Sequence, residues 1–148
     1  MTKPQKIDLM EKVLLDEDYA KVIYLPETKV GKVQWKRKPD EEEYKIPFLK
    51  LLDFGKHTQI DNFLSDIRNQ GVVSPKVRKW FETVALPTAI DDCKLKRAAT
   101  IFDGNIFRKY YLDMLIKASG KFKLPLKTFN SEEKAMEWFK KEMEKQEV

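Results

Sequence analysis

The stretch that most constrains the fold runs from Phe63 to Phe102. An apolar strand ends in Asp66-Ile67-Arg68, and Ser74-Pro75 then opens a helix carrying Trp80 and Phe81. Serine accepts hydrogen bonds from free amides at a helix start, and proline at the first helical position carries a φ already set for the helix. Leu86-Pro87 is expected to close that helix, because proline lacks the amide donor and clashes with the preceding turn. Lys96-Arg97-Ala98-Ala99-Thr100-Ile101-Phe102 then reads as a second buried strand. A strand–helix–strand unit of this length implies a right-handed crossover between parallel strands. Open sheets of that kind place their binding crevices at strand ends.

The rest of the chain extends the pattern. Tyr19 to Leu25 is rich in aromatic and β-branched residues and stops at Pro26, and Val30 to Trp35 alternates, so Glu27 to Lys29 is expected to turn a hairpin. Asp40 is placed to cap a helix whose first turn holds Glu41, Glu42 and Glu43. Phe48, Leu49 and Leu52 would face the sheet, Pro47 implies a kink or a later start, and Gly55 suits the helix end. Ile60 to Ile67 reads as a central strand. Val77, Trp80, Phe81 and Val84 form the apolar face of the following helix. Ile106 to Ala118 is helical, with Gly120 beyond it. Lys123 to Phe129 is a short strand, assigned to the sheet edge because of Pro125. Asn130 and Glu133 make a capping-box-like start to a last helix, with Ala135, Met136, Phe139 and Met143 on one face.

The order ββα-βα-βα-βα predicts an α/β fold: a mixed sheet with an N-terminal antiparallel hairpin, parallel later strands and about four flanking helices. At 148 residues the chain is read as one domain over residues 12–148, after a flexible or lightly docked segment over residues 1–11. With one cysteine there is no internal disulfide, which suits a reducing compartment. No apolar run approaches the roughly 20 residues of a membrane span. The basic N-terminus is not followed by a signal-peptide apolar region. The expected location is therefore the cytoplasm. The net charge of +5 arises from 29 basic residues interleaved with 24 acidic ones, a solvated surface that argues against a nucleic-acid footprint.

No catalytic constellation is legible. His57, the only histidine, lies in a polar connector without a local partner. Together with the single Cys93 it argues against a metal site. Cys93 stands between acids and lysines that act on its thiol in opposite directions, and is read as an incidental thiol. Asp91-Asp92 and Glu41 to Glu43 read as capping and solubility features, and no glycine-rich phosphate loop occurs. The candidate binding residues lie at the strand ends and on the aromatic helix. Asp66 and Arg68 share one strand parity and either pair with each other or contact a ligand. Trp80 is core packing or a ligand platform. Phe107, Tyr110 and Tyr111 make their helix unusually aromatic, as core, apolar-ligand pocket or dimer patch.

From Ala20 to Phe139 the chain resembles the SpoIIAA-like (STAS/SEC14-like) family of small bacterial proteins. The resemblance is carried by Phe63-Leu64-Ser65-Asp66-Ile67-Arg68, the Trp80 helix ending at Leu86-Pro87, Lys96-Arg97-Ala98 entering a strand, and the tail from Phe129 to Phe139. It implies a four- or five-stranded sheet with helices, no fixed cofactor, and roles in binding proteins or small lipophilic molecules. The Asp-Ser-Ser-Gly-like motif of anti-sigma-factor antagonists is absent, and Ser74-Pro75 stands in its place as a structural cap. The expectation is a non-enzymatic domain that binds a protein partner or a second copy of itself. The alternative is a carrier or sensor for a small lipophilic or anionic molecule held near the strand ends.

Overall fold

The computed structural model describes residues 11–104 and 106–147. Strands β1 (Lys12–Asp16), β2 (Ala20–Leu25) and β3 (Val30–Trp35) form an antiparallel meander. Strands β4 (Asn62–Asp66), β5 (Arg97–Ile101) and β6 (Leu126–Phe129) continue it in parallel, and the six strands lie side by side in chain order. The fold is α/β, as the element order predicts. The strand count exceeds the four or five implied by the resemblance.

β1 has no counterpart in the sequence reading, and its composition explains the omission. It is a five-residue edge strand with a register shift between Val13 and Leu15, and its side chains are exposed or half-buried. An edge strand packed on one side carries a weak alternation signal. Of the expected N-terminal segment 1–11, residues 1–10 lie outside the described residues.

Helix α1 (Glu41–Gly55) connects β3 to β4. The β4–β5 connection is one bent rod: α2 (Pro75–Trp80), a π-helical turn (Phe81–Ala85) and α3 (Leu86–Asp91). Helix α4 (Ile106–Lys121) connects β5 to β6, and α5 (Glu132–Glu147) follows β6. Successive right-handed crossovers in one direction place their helices on one face. The main core lies there, with Val22, Tyr24, Val33 and Trp35 of the sheet against Tyr44, Phe48, Leu51, Val77, Phe81, Tyr111 and Leu115. Strand residues of the other parity, Val30, Leu64, Ala99 and Ile101, pack with Ala135 and Phe139 of α5. The last helix thus returns across the opposite face and seals it.

Several local expectations change. The helix expected to stop at Leu86-Pro87 continues to Asp91. The π turn widens the backbone just before Pro87, and the Leu86 amide reaches back to the Phe81 carbonyl. The proline ring would otherwise crowd the preceding turn. Thr83 and Thr88 donate their hydroxyls to the carbonyls of Lys79 and Val84, each at 2.7 Å. The extra residue in that turn also rotates the buried face: Val77, Phe81 and Ala85 point inward, while Val84, expected inside, is exposed. On α1 the inward residues are Tyr44, Phe48 and Leu51, and Leu49 points to solvent. The cap of α5 is Ser131, which accepts from the Lys134 amide, one residue after the expected Asn130. Pro125 directly precedes edge strand β6, and its carbonyl accepts from the Ala98 amide.

Candidate functional site

A groove of about 680 Å³ opens where β3 and β4 end. The sequence places three connections there. After Trp35, Lys38 and Pro39 lead into the Asp40 cap of α1. That cap is a full capping box: the Glu43 amide donates to Asp40 at 2.8 Å, and the Asp40 amide donates to the Glu43 carboxylate at 3.0 Å. After Asp66 the chain turns through Gly71, whose φ of 73° suits glycine and whose missing Cβ leaves room for the Lys38 stem 3.0 Å away. Val72, Val73, Ser74 and Pro75 then form one wall, and Tyr110 and Tyr111 of α4 another.

The floor is phenolic. The Tyr44 and Tyr111 hydroxyls are 2.5 Å apart and both rings are buried. Burial pushes the Tyr111 hydroxyl up to about 12, although Tyr44 and the neighbouring Gln70 act the other way. Tyr44 is likewise raised well above the ordinary range, first by burial and then by Tyr111. The pair is therefore neutral at physiological pH, with one hydroxyl donating to the other. Trp35 stacks on Tyr44 with the rings nearly parallel and 5.5 Å apart, and among the described residues its indole N–H has no partner. Gln70 is fully buried beside Tyr111, close enough to favour its ionised form, yet among the described residues neither amide atom completes a well-formed hydrogen bond. Buried polar atoms are paired in the great majority of cases, so this cluster is unusual.

The charged groups of the groove differ in their engagement. Asp40 is committed to its cap, and Glu41 accepts from the Ser74 hydroxyl at 2.7 Å while lying 3.9 Å from Lys76. Among the described residues, the Lys38 and Arg78 side chains form no ion pair, and the buried Nε of Arg78 has no partner.

The sequence-derived candidates are thus divided. Tyr111 is in the groove floor and Tyr110, 68% exposed, is at its rim. The side chain of Phe107 lies outside the described residues. Trp80 is half-buried behind the groove, edge-on to Tyr44 at 6.3 Å and beneath the Lys45 ammonium at 5.8 Å. Asp66 and Arg68 bind each other: Nε and Nη2 donate to the two carboxylate oxygens at 3.0 and 2.8 Å, and the Arg68 amide adds a third bond. Asp66 shares the parity of Leu64 and so belongs to the α5 face, away from the groove. The pairing also holds the Arg68 guanidinium more firmly protonated.

Tyr44, Lys38, Gln70 and Arg78 escaped the sequence reading. Tyr44, four residues before Phe48, was the one detectable signal, because that spacing puts both on the buried face of α1. The remaining reactive side chains are engaged or solvated. Cys93 is buried, its thiol is raised chiefly by that burial, and it approaches the Leu52 carbonyl at 3.5 Å. His57 is exposed in the turn after α1. Among the described residues no cluster of three His, Cys, Asp or Glu side chains is placed to hold a metal, and no helix is long and apolar enough to cross a membrane. No family model, curated protein or solved structure matches the chain.

Proposed function

We propose that the protein is a non-enzymatic binding domain of STAS-like type whose groove at the β3 and β4 ends takes a small molecule. The observation that carries this reading is the groove itself: a cleft of about 680 Å³, walled by valine, proline and tyrosine, with a few convergent polar groups. Drug-sized and cofactor-sized ligands occupy clefts of this size and composition. The test is native mass spectrometry of gently purified protein beside a Val72→Trp variant. Val72 is 52% exposed at the rim, so the larger ring narrows the groove without entering the core. Extra mass on the wild type that is lost on denaturation and absent from the variant is the expected result. A bare wild-type chain, or extra mass that survives in the variant, would overturn the assignment.

A second reading, recognition of a protein partner or a second copy, is supported by Ile46 and Leu49. They lie three residues apart on α1 and are 40% and 51% exposed. Its test is the solution mass of wild type and Leu49→Glu by light scattering. A dimer that dissociates in the variant supports self-association, and monomers in both remove it.

A further inference from the structure

We infer that the ligand of this groove is acceptor-rich: an oxyanion, carboxylate or phosphate, carried on a compact apolar body. The inference rests on the small-molecule reading above and adds the chemistry of the ligand. It follows from which polar groups are already used. Every acceptor among the charged lining residues has a partner within the fold: Asp40 in the α1 cap, and Glu41 with Ser74 and Lys76. The donors are not used in this way. Among the described residues, Arg78 keeps a buried Nε without a partner and Lys38 forms no ion pair.

A cationic ligand would have to compete with a helix cap and with a seryl hydroxyl for its carboxylates. An anion meets unoccupied donors. A guanidinium fork suits the two oxygens of a carboxylate or the edge of a phosphate. The other walls, Pro39, Val72, Val73, Pro75, Val77 and the Tyr110 ring, have no charge to offer and would cover an apolar body. Arg78 and Lys38 are therefore assigned as the head-group contacts, with the phenol pair beneath them as a neutral floor. Burial keeps both phenols protonated, so they do not repel an anion.

The probes are octanoate, octyl phosphate, octanol and octylammonium, each titrated into isotopically labelled full-length protein and followed by amide chemical shifts. The expected result is movement of the Val72, Val73, Tyr110 and Tyr111 amides, with an anion binding about tenfold or more tighter than octanol. Arg78→Met should erase that advantage and leave octanol affinity unchanged, because a hydrogen bond to a charged group contributes about 1.5–3 kcal/mol, or about 10- to 100-fold. Octanol or octylammonium binding in the groove as tightly as the anions would overturn the oxyanion assignment and leave the groove reading standing. Failure of all four probes to move these amides would overturn both. The wild-type comparison of charged and neutral probes decides the question even if Arg78→Met does not fold.

Discussion

Removing the Tyr111 hydroxyl should cost more than removing both hydroxyls of the groove floor would suggest. In Tyr111→Phe the Tyr44 hydroxyl stays fully buried and loses the partner 2.5 Å away. An orphaned buried hydroxyl costs about 1–3 kcal/mol, whereas replacing both partners by apolar groups of the same shape is close to neutral. Tyr44→Phe should cost a similar amount, and the Tyr44→Phe/Tyr111→Phe double variant less than either single. The coupling term of the cycle, the double minus the sum of the singles, is then about −2 kcal/mol or larger in size. Urea unfolding reports each variant through Trp35, which stacks on the Tyr44 ring. An alkaline arm tests the same geometry. Unfolded tyrosine ionises at about 10, while Tyr111 in the fold holds its proton up to about 12. Between those values the unfolded chain releases a proton that the native state retains, so stability is intact below pH 10 and falls as pH rises towards 12. The difference amounts to about 3 kcal/mol for Tyr111, and this part of the alkaline loss should vanish in Tyr111→Phe. Additive singles, or an unchanged alkaline slope in Tyr111→Phe, would show that the two hydroxyls are not a buried pair.

Four other perturbations probe separate parts of the structure. Glu43 titrates at about 2 because Arg37 and then the Asp40 amide bind its carboxylate; its contribution to α1 is present above its ordinary value of 4.5 and lost as pH falls through about 2, and a carboxyl NMR titration near 4.5 would refute the Arg37 pairing and, with it, the Asp40 amide bond. Cys93 should react with an aromatic disulfide reagent only as the protein unfolds, since burial raises its thiol; equal native and denatured rates would contradict that placement. Gly31→Ala would bring a Cβ to 2.8 Å from the Leu51 side chain and should cost about 1–3 kcal/mol, measured by thermal unfolding; no loss would mean that α1 does not approach β3 so closely. Asp66→Asn should cost about 1 kcal/mol, because Arg68 is 44% exposed and solvent screens the pair, while probe binding in the groove is unchanged; loss of binding would place the ion pair in the site after all.

The sheet was legible because its signals are local. Ser74-Pro75, the Asp40-Glu41 start and the apolar runs at β2 to β5 each act through their own backbone, so element type and parallel order follow from short windows. Boundaries that depend on neighbours were not legible. Pro87 reads as a stop, yet a π turn and two threonine hydroxyls carry the helix past it and turn Val84 outward. The site divides in the same way. Tyr110 and Tyr111 stood out because aromatics at helical spacing are visible in sequence. Asp66 and Arg68 stood out because they are charges at a strand end, and the fold turns them to each other.

By itself, the sequence determined an α/β chain with a hairpin, parallel crossovers and no local catalytic motif, because hydrophobic period and helix caps are written residue by residue. Tertiary structure alone decided that Tyr44 and Tyr111, 67 residues apart, share a hydrogen bond, that Gln70 and Trp35 are buried beside them, and that Arg78 and Lys38 face one groove without carboxylate partners among the described residues. Contacts of that kind depend on how helices sit across the sheet and on which partners each charge finds. Neither is encoded in any short stretch of chain.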